Sequence, residues 1–229
     1  MVSWQGIFLS IGLMVGAFPA VALTAEVEAG MDLPVQMIGA KMRFNINDHF
    51  FGVGGMGFTS ASMAQLLADS SYTFGQTSKE TSEVLGASLE KSLYLNLQLG
   101  YDFKRSGGWY IMGGYSVFLN GGGHASGNEI EGLVGRDLVA ITASQNAHVE
   151  SNVHNLTAHL GYSWFFDMFA FYWEFGLVKP VYATSKVILS ESVNSAVLDE
   201  EDQVVKDMDS AWTGDIWIYT TGFWISYNF

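Results

Sequence analysis

The sequence predicts an all-β chain: an antiparallel, transmembrane up-and-down β-barrel of about eight strands, with short turns at one end and long loops at the other. Three observations predict it. Most of the chain alternates apolar and polar residues with period 2, and one such run covers Leu89 to Phe103, far beyond the mean strand of about 5–6 residues. The connections alternate between short and long. The apolar faces are the wide ones, rich in Leu, Phe and Trp, and the opposite faces hold Gly, Ser, Thr, Asn, Gln and isolated charges. A soluble barrel would put those small polar residues outside. The interior of a narrow eight-stranded barrel, just wide enough for side chains to fill, also suits them.

Composition narrows the class. Of 229 residues, 49% are hydrophobic and only 14% charged, with 26 Gly, 3 Pro and no Cys. Soluble domains carry about 25% charged residues, and disorder needs low hydrophobicity. The absence of Cys excludes a disulfide scaffold, a zinc-thiolate site and a Cys nucleophile. The net charge of −13 argues against nucleic acid, whose phosphates must be met by Lys and Arg.

Residues 1–23 read as a signal peptide and 24–229 as the barrel. The apolar run from Gly6 to Ala25 is interrupted by Gly12, Gly16 and Pro19 and passes through Ala20-Val21-Ala22, a cleavage-site pattern. The first strand, 24–32, carries Glu26 and Glu28 on one face. Leu33-Pro34 is a tight link. The second, 35–46, places Lys41 and Arg43 on the polar face, opposite Ile38, Ala40, Met42 and Phe44. Asn47-Asp48 turns the chain into the Gly-rich third strand, 49–60. Its GVGGMG run lacks the strand–helix context of a phosphate loop and reads as small residues within a strand.

The fourth strand, 88–104, directs Glu90 and Asp102 inward, and the fifth covers 108–120. The sixth, 148–165, and seventh, 169–188, form a hairpin about Phe166-Asp167. Pairing around that turn puts His159 nearly opposite Glu174, with Tyr172 close by. The eighth, 211–229, begins near Trp212 and ends with Phe223, Ile225, Tyr227 and Phe229 on one face. Aromatics gather at the short-turn ends: Tyr101, Phe103, Trp109, Tyr162, Trp164, Phe169, Tyr227 and Phe229. That is the girdle a bilayer interface favours. In the long links, 62–70, 80–90 and 196–208 have helical composition and are suited to cap the mouth.

The signal-like start, the strand plan and the ending Phe223-Trp224-Ile225-Ser226-Tyr227-Asn228-Phe229 resemble the small eight-stranded bacterial outer-membrane barrels. The resemblance implies residence in the outer membrane of a Gram-negative envelope. It implies contact with outer-membrane lipid and lipopolysaccharide, and reading of the last strand by the barrel-assembly machinery through Phe223, Ile225, Tyr227 and Phe229. The short turns and amino end would then be periplasmic.

Candidate chemistry centres on the lumen. His159, Glu174, Tyr172, Lys41, Arg43, Glu26, Glu28, Glu90 and Asp102 are expected to form a polar network. A His–carboxylate pair can do acid/base work, but buried polar groups must also satisfy one another, and the structural role is the expectation. His124-Ala125-Ser126 with Glu129 or Glu131 is similar to the catalytic set of eight-stranded outer-membrane lipid A deacylases. In those enzymes the pair lies on a lipid-facing strand, whereas here it follows Gly121-Gly122-Gly123 in a loop. The 190–210 loop carries six net negative charges without the Gly and alternate spacing of a Ca²⁺ loop, so it reads as a solvated acidic face. No cofactor or catalytic residue is expected. The function expected is structural, adhesive, or partner- or lipid-binding through the long loops. The alternatives are a lipid-modifying enzyme and a narrow channel for small solutes.

Overall fold

The computed structural model describes residues 25–104, 107–136, 146–189 and 195–227. Residues 1–23, read as the signal peptide, and Phe229 lie outside the described residues. Along the chain come β1 (Ala25–Leu33), β2 (Gln36–Asn45), β3 (Phe50–Phe58), α1 (Ala61–Thr73), α2 (Lys79–Ser88), β4 (Leu93–Asp102) and β5 (Gly108–Leu119). They are followed by β6 (Gly123–Ser126), α3 (Gly127–Val134), β7 (Asn146–Phe165), β8 (Phe169–Leu189), α4 (Ser195–Thr213) and β9 (Ile218–Tyr227).

Eight of these strands close a ring. Every sequential neighbour pairs antiparallel, β9 returns to β1, and β5 pairs β7 to complete the circuit. The barrel is therefore of the up-and-down kind. The ninth strand, β6, is a four-residue piece that pairs only with the upper part of β7. The links near 46–49 and 166–168, with the facing ends of β4 and β5, lie at one end, called the lower end below. The α-helices lie at the other.

Leu97 and Leu99 are each 64% exposed on β4, while Gln98 between them is 2% exposed. The same inversion runs round the barrel. Met42, Met56, Ile111, Leu156, Leu160, Phe171, Phe175, Phe223 and Ile225 all face outward and are exposed. At the lower end the rings of Trp109, Tyr162 and Trp164 pack in series, as do Phe50, Tyr101 and Phe103. Phe169 meets Tyr227 across β8 and β9. A second aromatic group that the sequence reading did not pick out stands near the mouth: Tyr115, His154 and Tyr182.

β7 and β8 are about twice as long as the other strands. Above Val153, the last residue paired to β5, their hairpin rises roughly 20 Å at about 3.4 Å per residue. A register shift near His154 and Asn155 leaves Val181 as the extra residue on β8. The buried positions switch from even numbers, through Pro180, to odd ones at Ala183 and Val187. Proline removes a ladder donor and is tolerated at such a bulge. The bulge bends the hairpin so that its inner face meets the helices over the mouth.

Those helices are built by local signals. Ser60 caps α1 and Ser78 caps α2, each accepting a backbone N–H three residues on. On α1 the residues Ala64, Leu67, Ala68 and Ser71 are buried at helical spacing. Gly86 lets α2 approach Ala68 closely. On α4 Val204, Met208 and Trp212 form one buried stripe.

Several sequence boundaries move. Residues 88–92 are not the start of a strand: α2 ends at Ser88, Lys91 has φ 60°, and β4 begins at Leu93. Glu90 accordingly sits in a turn at the mouth rather than on a lumen-facing strand. Trp212 belongs to α4, not to the last strand, which starts at Ile218. Residues 123–134, read as loop, form β6 and α3.

Candidate functional site

Going up the lumen, three layers follow one another. At the lower end Phe51, Val53, Tyr110, Met112, Ala170, Tyr172 and Trp224 form a buried plate. At the mouth a second apolar cluster joins barrel and helices, with Tyr94, Phe118, Val153, Val178 and Ile218 from the strands and Leu67, Leu85 and Trp212 from the helices. Phe118, apolar on an otherwise polar face, thus belongs to the plug. Above it Val84, Ala125, Ile130, Val149, Val187, Val204 and Met208 bind the helices to the extended hairpin.

Polar groups run through the plate and up toward the plug. Lys41 Nζ donates to Glu174 Oε2 at 2.6 Å, both groups buried. Tyr110 donates its hydroxyl to Glu174 Oε1 at 3.0 Å. Arg43 bridges to Asp102 at 2.6 Å. Tyr172 donates to Glu26 Oε2 at 2.5 Å, and Gln98 donates to Thr157 Oγ1 at 2.9 Å. Each cation also covers a ring of the plate. Lys41 Nζ is 3.8 Å from the Trp224 centroid, and the Arg43 guanidinium is 3.4 Å from that of Phe51.

The register places Glu26 beside Arg43 and Glu28 beside Lys41 on adjacent strands. The ion pairs nevertheless run elsewhere, to Asp102 and Glu174. The lumen is only a few side chains wide, so a long cation reaches a distant strand as readily as its neighbour. His159 pairs with Gly176, and Glu174 with Gly161. The two are thus one same-face step apart rather than opposite, and no protein atom hydrogen-bonds either ring nitrogen of His159. Tyr172 turns toward Glu26, away from them.

Glycine makes room for this packing. A Cβ at Gly161 would stand 2.1 Å from Tyr110 Cζ, and one at Gly176 would stand 2.4 Å from Thr220 Oγ1. The small residues of the inward faces are thus the complements of the large ones across from them.

Sequence reasoning missed Asp32, Tyr110 and Trp224 as members of this network. Asp32 shares the parity of Glu26 and Glu28 on β1, which was the available signal. Buried Asp32 pairs with Gly222 on β9, and Glu174 pairs with the same Gly222 from the other side.

His124-Ala125-Ser126 lies on β6, beyond the barrel wall. Ser126 caps α3: its hydroxyl accepts from Glu129 N, and the Glu129 carboxylate accepts from Ser126 N at 2.7 Å. This reciprocal capping box gives both residues a structural task. The His124 ring neighbours His148, with centroids 5.1 Å apart, and His148 Nε2 lies 3.2 Å from Glu150 Oε1. In the acidic loop, residues 190–194 lie outside the described residues, and the remainder forms α4, where Gln203 donates to Asp207 at 3.0 Å. On the outer wall a groove of about 1010 Å³ includes Gly113 and Ala158 among Leu99, Ile111, Leu160 and Phe175.

No family model matches the sequence, and no curated protein does. Among solved structures, a crystal structure of Acinetobacter baumannii CarO aligns with TM-score 0.39 and 9% identity, covering 90% of this chain and 96% of that one. Acinetobacter baumannii CarO2 aligns with TM-score 0.37 and 11% identity, covering 90% and 98%. The architecture itself, a closed eight-stranded barrel with an apolar belt and a filled lumen, is that of the small membrane barrels its sequence resembles.

Proposed function

We propose that the protein is a bacterial outer-membrane barrel that acts through its helix-capped mouth, as a structural, adhesive, or partner- or lipid-binding element. One observation carries the reading. The lumen is closed twice, by the aromatic plate below and the helix-sealed plug above, while the outer wall is apolar over its whole belt. A belt of this kind suits lipid, and a doubly closed lumen suits anchoring better than transport. The groove past Gly113 and Ala158 is apolar and matches an acyl chain. The extended hairpin with β6 and α3 offers the mouth a surface for lipopolysaccharide or a protein partner. Phe223, Ile225 and Tyr227, outward on β9, together with Phe229, are the residues proposed for the assembly machinery to read.

The test uses the native barrel. It is extracted from outer membranes, checked for heat-modifiable gel migration, and its co-purifying lipid and protein are identified. Lipopolysaccharide or a protein held at the capped mouth supports the proposal. Steady single-channel conductance in planar bilayers would replace it with a channel. A mass change in lipopolysaccharide incubated with the barrel would replace it with a lipid-modifying enzyme. Recovery as a monomer soluble without detergent would remove the membrane assignment altogether.

A further inference from the structure

We propose that the polar network holds a divalent first-row transition-metal ion, bound by Asp32, His159 and Glu174 inside the lumen. One donor atom from each of the three residues can be chosen so that all lie within 4.8 Å of one another, and all three residues are buried. They come from β1, β7 and β8, so an ion among them would tie three strands across the interior.

Two glycines leave room beside the donors. A Cβ at Gly222 would lie 2.8 Å from Trp224 Nε1 and 3.4 Å from both Asp32 Oδ1 and Glu174 Oε2. A Cβ at Gly176 would lie 2.6 Å from His159 Nδ1. Any larger residue at either position would intrude among the donors.

A second observation is independent of the clustering. Asp32 Oδ1 and both nitrogens of His159 are buried and receive no hydrogen bond from any protein atom. A neutral imidazole has one donor and one acceptor nitrogen, and buried polar groups are almost always paired. Nearby, Lys41 pairs with Glu174 and Arg43 with Asp102, while Gln98 donates to Thr157 and leaves its own Oε1 without a protein partner. Other buried polar atoms among the described residues also lack a protein partner, but His159 alone leaves both of its nitrogens so, and it does so within reach of Asp32 Oδ1 and Glu174.

Charge points the same way. Glu28, Asp32 and Glu174 are buried together with Lys41 and Arg43, and Arg43 is engaged by Asp102. Lys41 is left facing three carboxylates, a deficit that a dication makes good. Glu174 already accepts from Lys41 at Oε2 and from Tyr110 at Oε1, and the ion is its third partner, within the roughly four lone-pair sites of a carboxylate.

The donor set selects the metal. Ca²⁺ takes six to eight oxygens. One imidazole with two carboxylates fits Zn²⁺ or a similar ion, with bonds of about 2.0–2.2 Å. The cluster would contract around the ion through rotation of the two carboxylate side chains. Because plate and plug seal the lumen, the ion enters as the barrel closes and is released when it unfolds.

The full chain is refolded from urea into detergent micelles with Zn²⁺, passed through EDTA and desalted. Metal is then counted on the heat-modifiable, folded fraction. The expected result is one Zn²⁺ per folded chain, resistant to EDTA until urea is restored. X-ray absorption should show a single imidazole with oxygen ligands. Asp32→Asn and His159→Gln keep side-chain size and should each lower retention by roughly tenfold or more. His124→Ala combined with His148→Ala should leave it unchanged. Folded wild-type chain without metal, or two imidazoles on the ion, overturns the proposal, as does retention unaffected by both lumen variants. If neither lumen variant folds, the wild-type count and ligand spectrum decide.

Discussion

The Lys41 ammonium lies 2.6 Å from Glu174 Oε2 inside the lumen, joining β2 to β8 across two intervening strands. Each group is stranded without the other. Lys41→Met leaves Glu174 as an uncompensated buried charge, and loss of one partner of such a pair costs roughly 3–5 kcal/mol. The expected outcome is a lowered urea midpoint for the heat-modifiable form, measured in detergent without metal. Lys41→Met combined with Glu174→Gln should cost less than the two singly, because the second change removes the orphaned charge.

Tyr110 can reach Glu174 only because Gly161 carries no side chain under its ring. A Cβ at Gly161 would stand 2.1 Å from Tyr110 Cζ, so Gly161→Ala must displace the ring and its hydrogen bond. Overpacking of this kind costs roughly 1–3 kcal/mol. Gly54, with nothing within 4 Å of an added Cβ, is the control. Gly54→Ala should stay within about 0.5 kcal/mol of the parent. Urea titration of the two variants side by side checks the difference.

These relationships also show what the sequence could and could not reveal. Period-2 parity alone sends Lys41, Arg43, Glu28, Asp102, His159 and Glu174 to one side of the wall, because strand geometry fixes that side. Parity is silent on which cation meets which carboxylate. That depends on strand stagger and on the width of the lumen, and here Lys41 reaches past Glu28 to Glu174. The misreading of Glu90 and Trp212 has a different cause. Leu89, Lys91 and Leu93 alternate as a strand would, yet the chain is still leaving α2 there, and Trp212 continues the buried stripe of α4. The helix α3 did have a signal, since Ser126 and Glu129 are spaced as a capping box. Three preceding glycines outweighed it.

Trp212 is the largest fully buried side chain of the chain's described residues and sits in the plug between α4 and the strands. Trp212→Ala leaves a cavity worth roughly 3–5 kcal/mol. Because the lower plate is built from other residues, that loss should fall on the cap. Amide exchange in α1 and α4 is expected to quicken, while the lower halves of β4 and β5 keep their protection. Planar-bilayer recordings should remain silent for both parent and variant, since Phe51, Tyr110, Tyr172 and Trp224 still close the lower end.

The sharpest discrimination of which side faces lipid comes from neighbouring residues of β4. Leu97 points outward into the apolar belt, whereas Gln98 points inward and donates to Thr157 Oγ1 at 2.9 Å. If the belt lies in a bilayer, Leu97→Arg places a charge in hydrocarbon and costs roughly 2–4 kcal/mol near the midplane. Gln98→Leu removes a lumen hydrogen bond and strands the Thr157 hydroxyl, at roughly 1–3 kcal/mol. Both lower the folded yield in liposomes, but only the first depends on the lipid. Moving from liposomes to detergent micelles, which deform around a charged side chain, should restore much of the Leu97→Arg yield and little of the Gln98→Leu yield. Equal recovery of both would mean that the outer belt does not meet hydrocarbon at Leu97. An improved yield for Leu97→Arg in every medium would mean that water lies there instead.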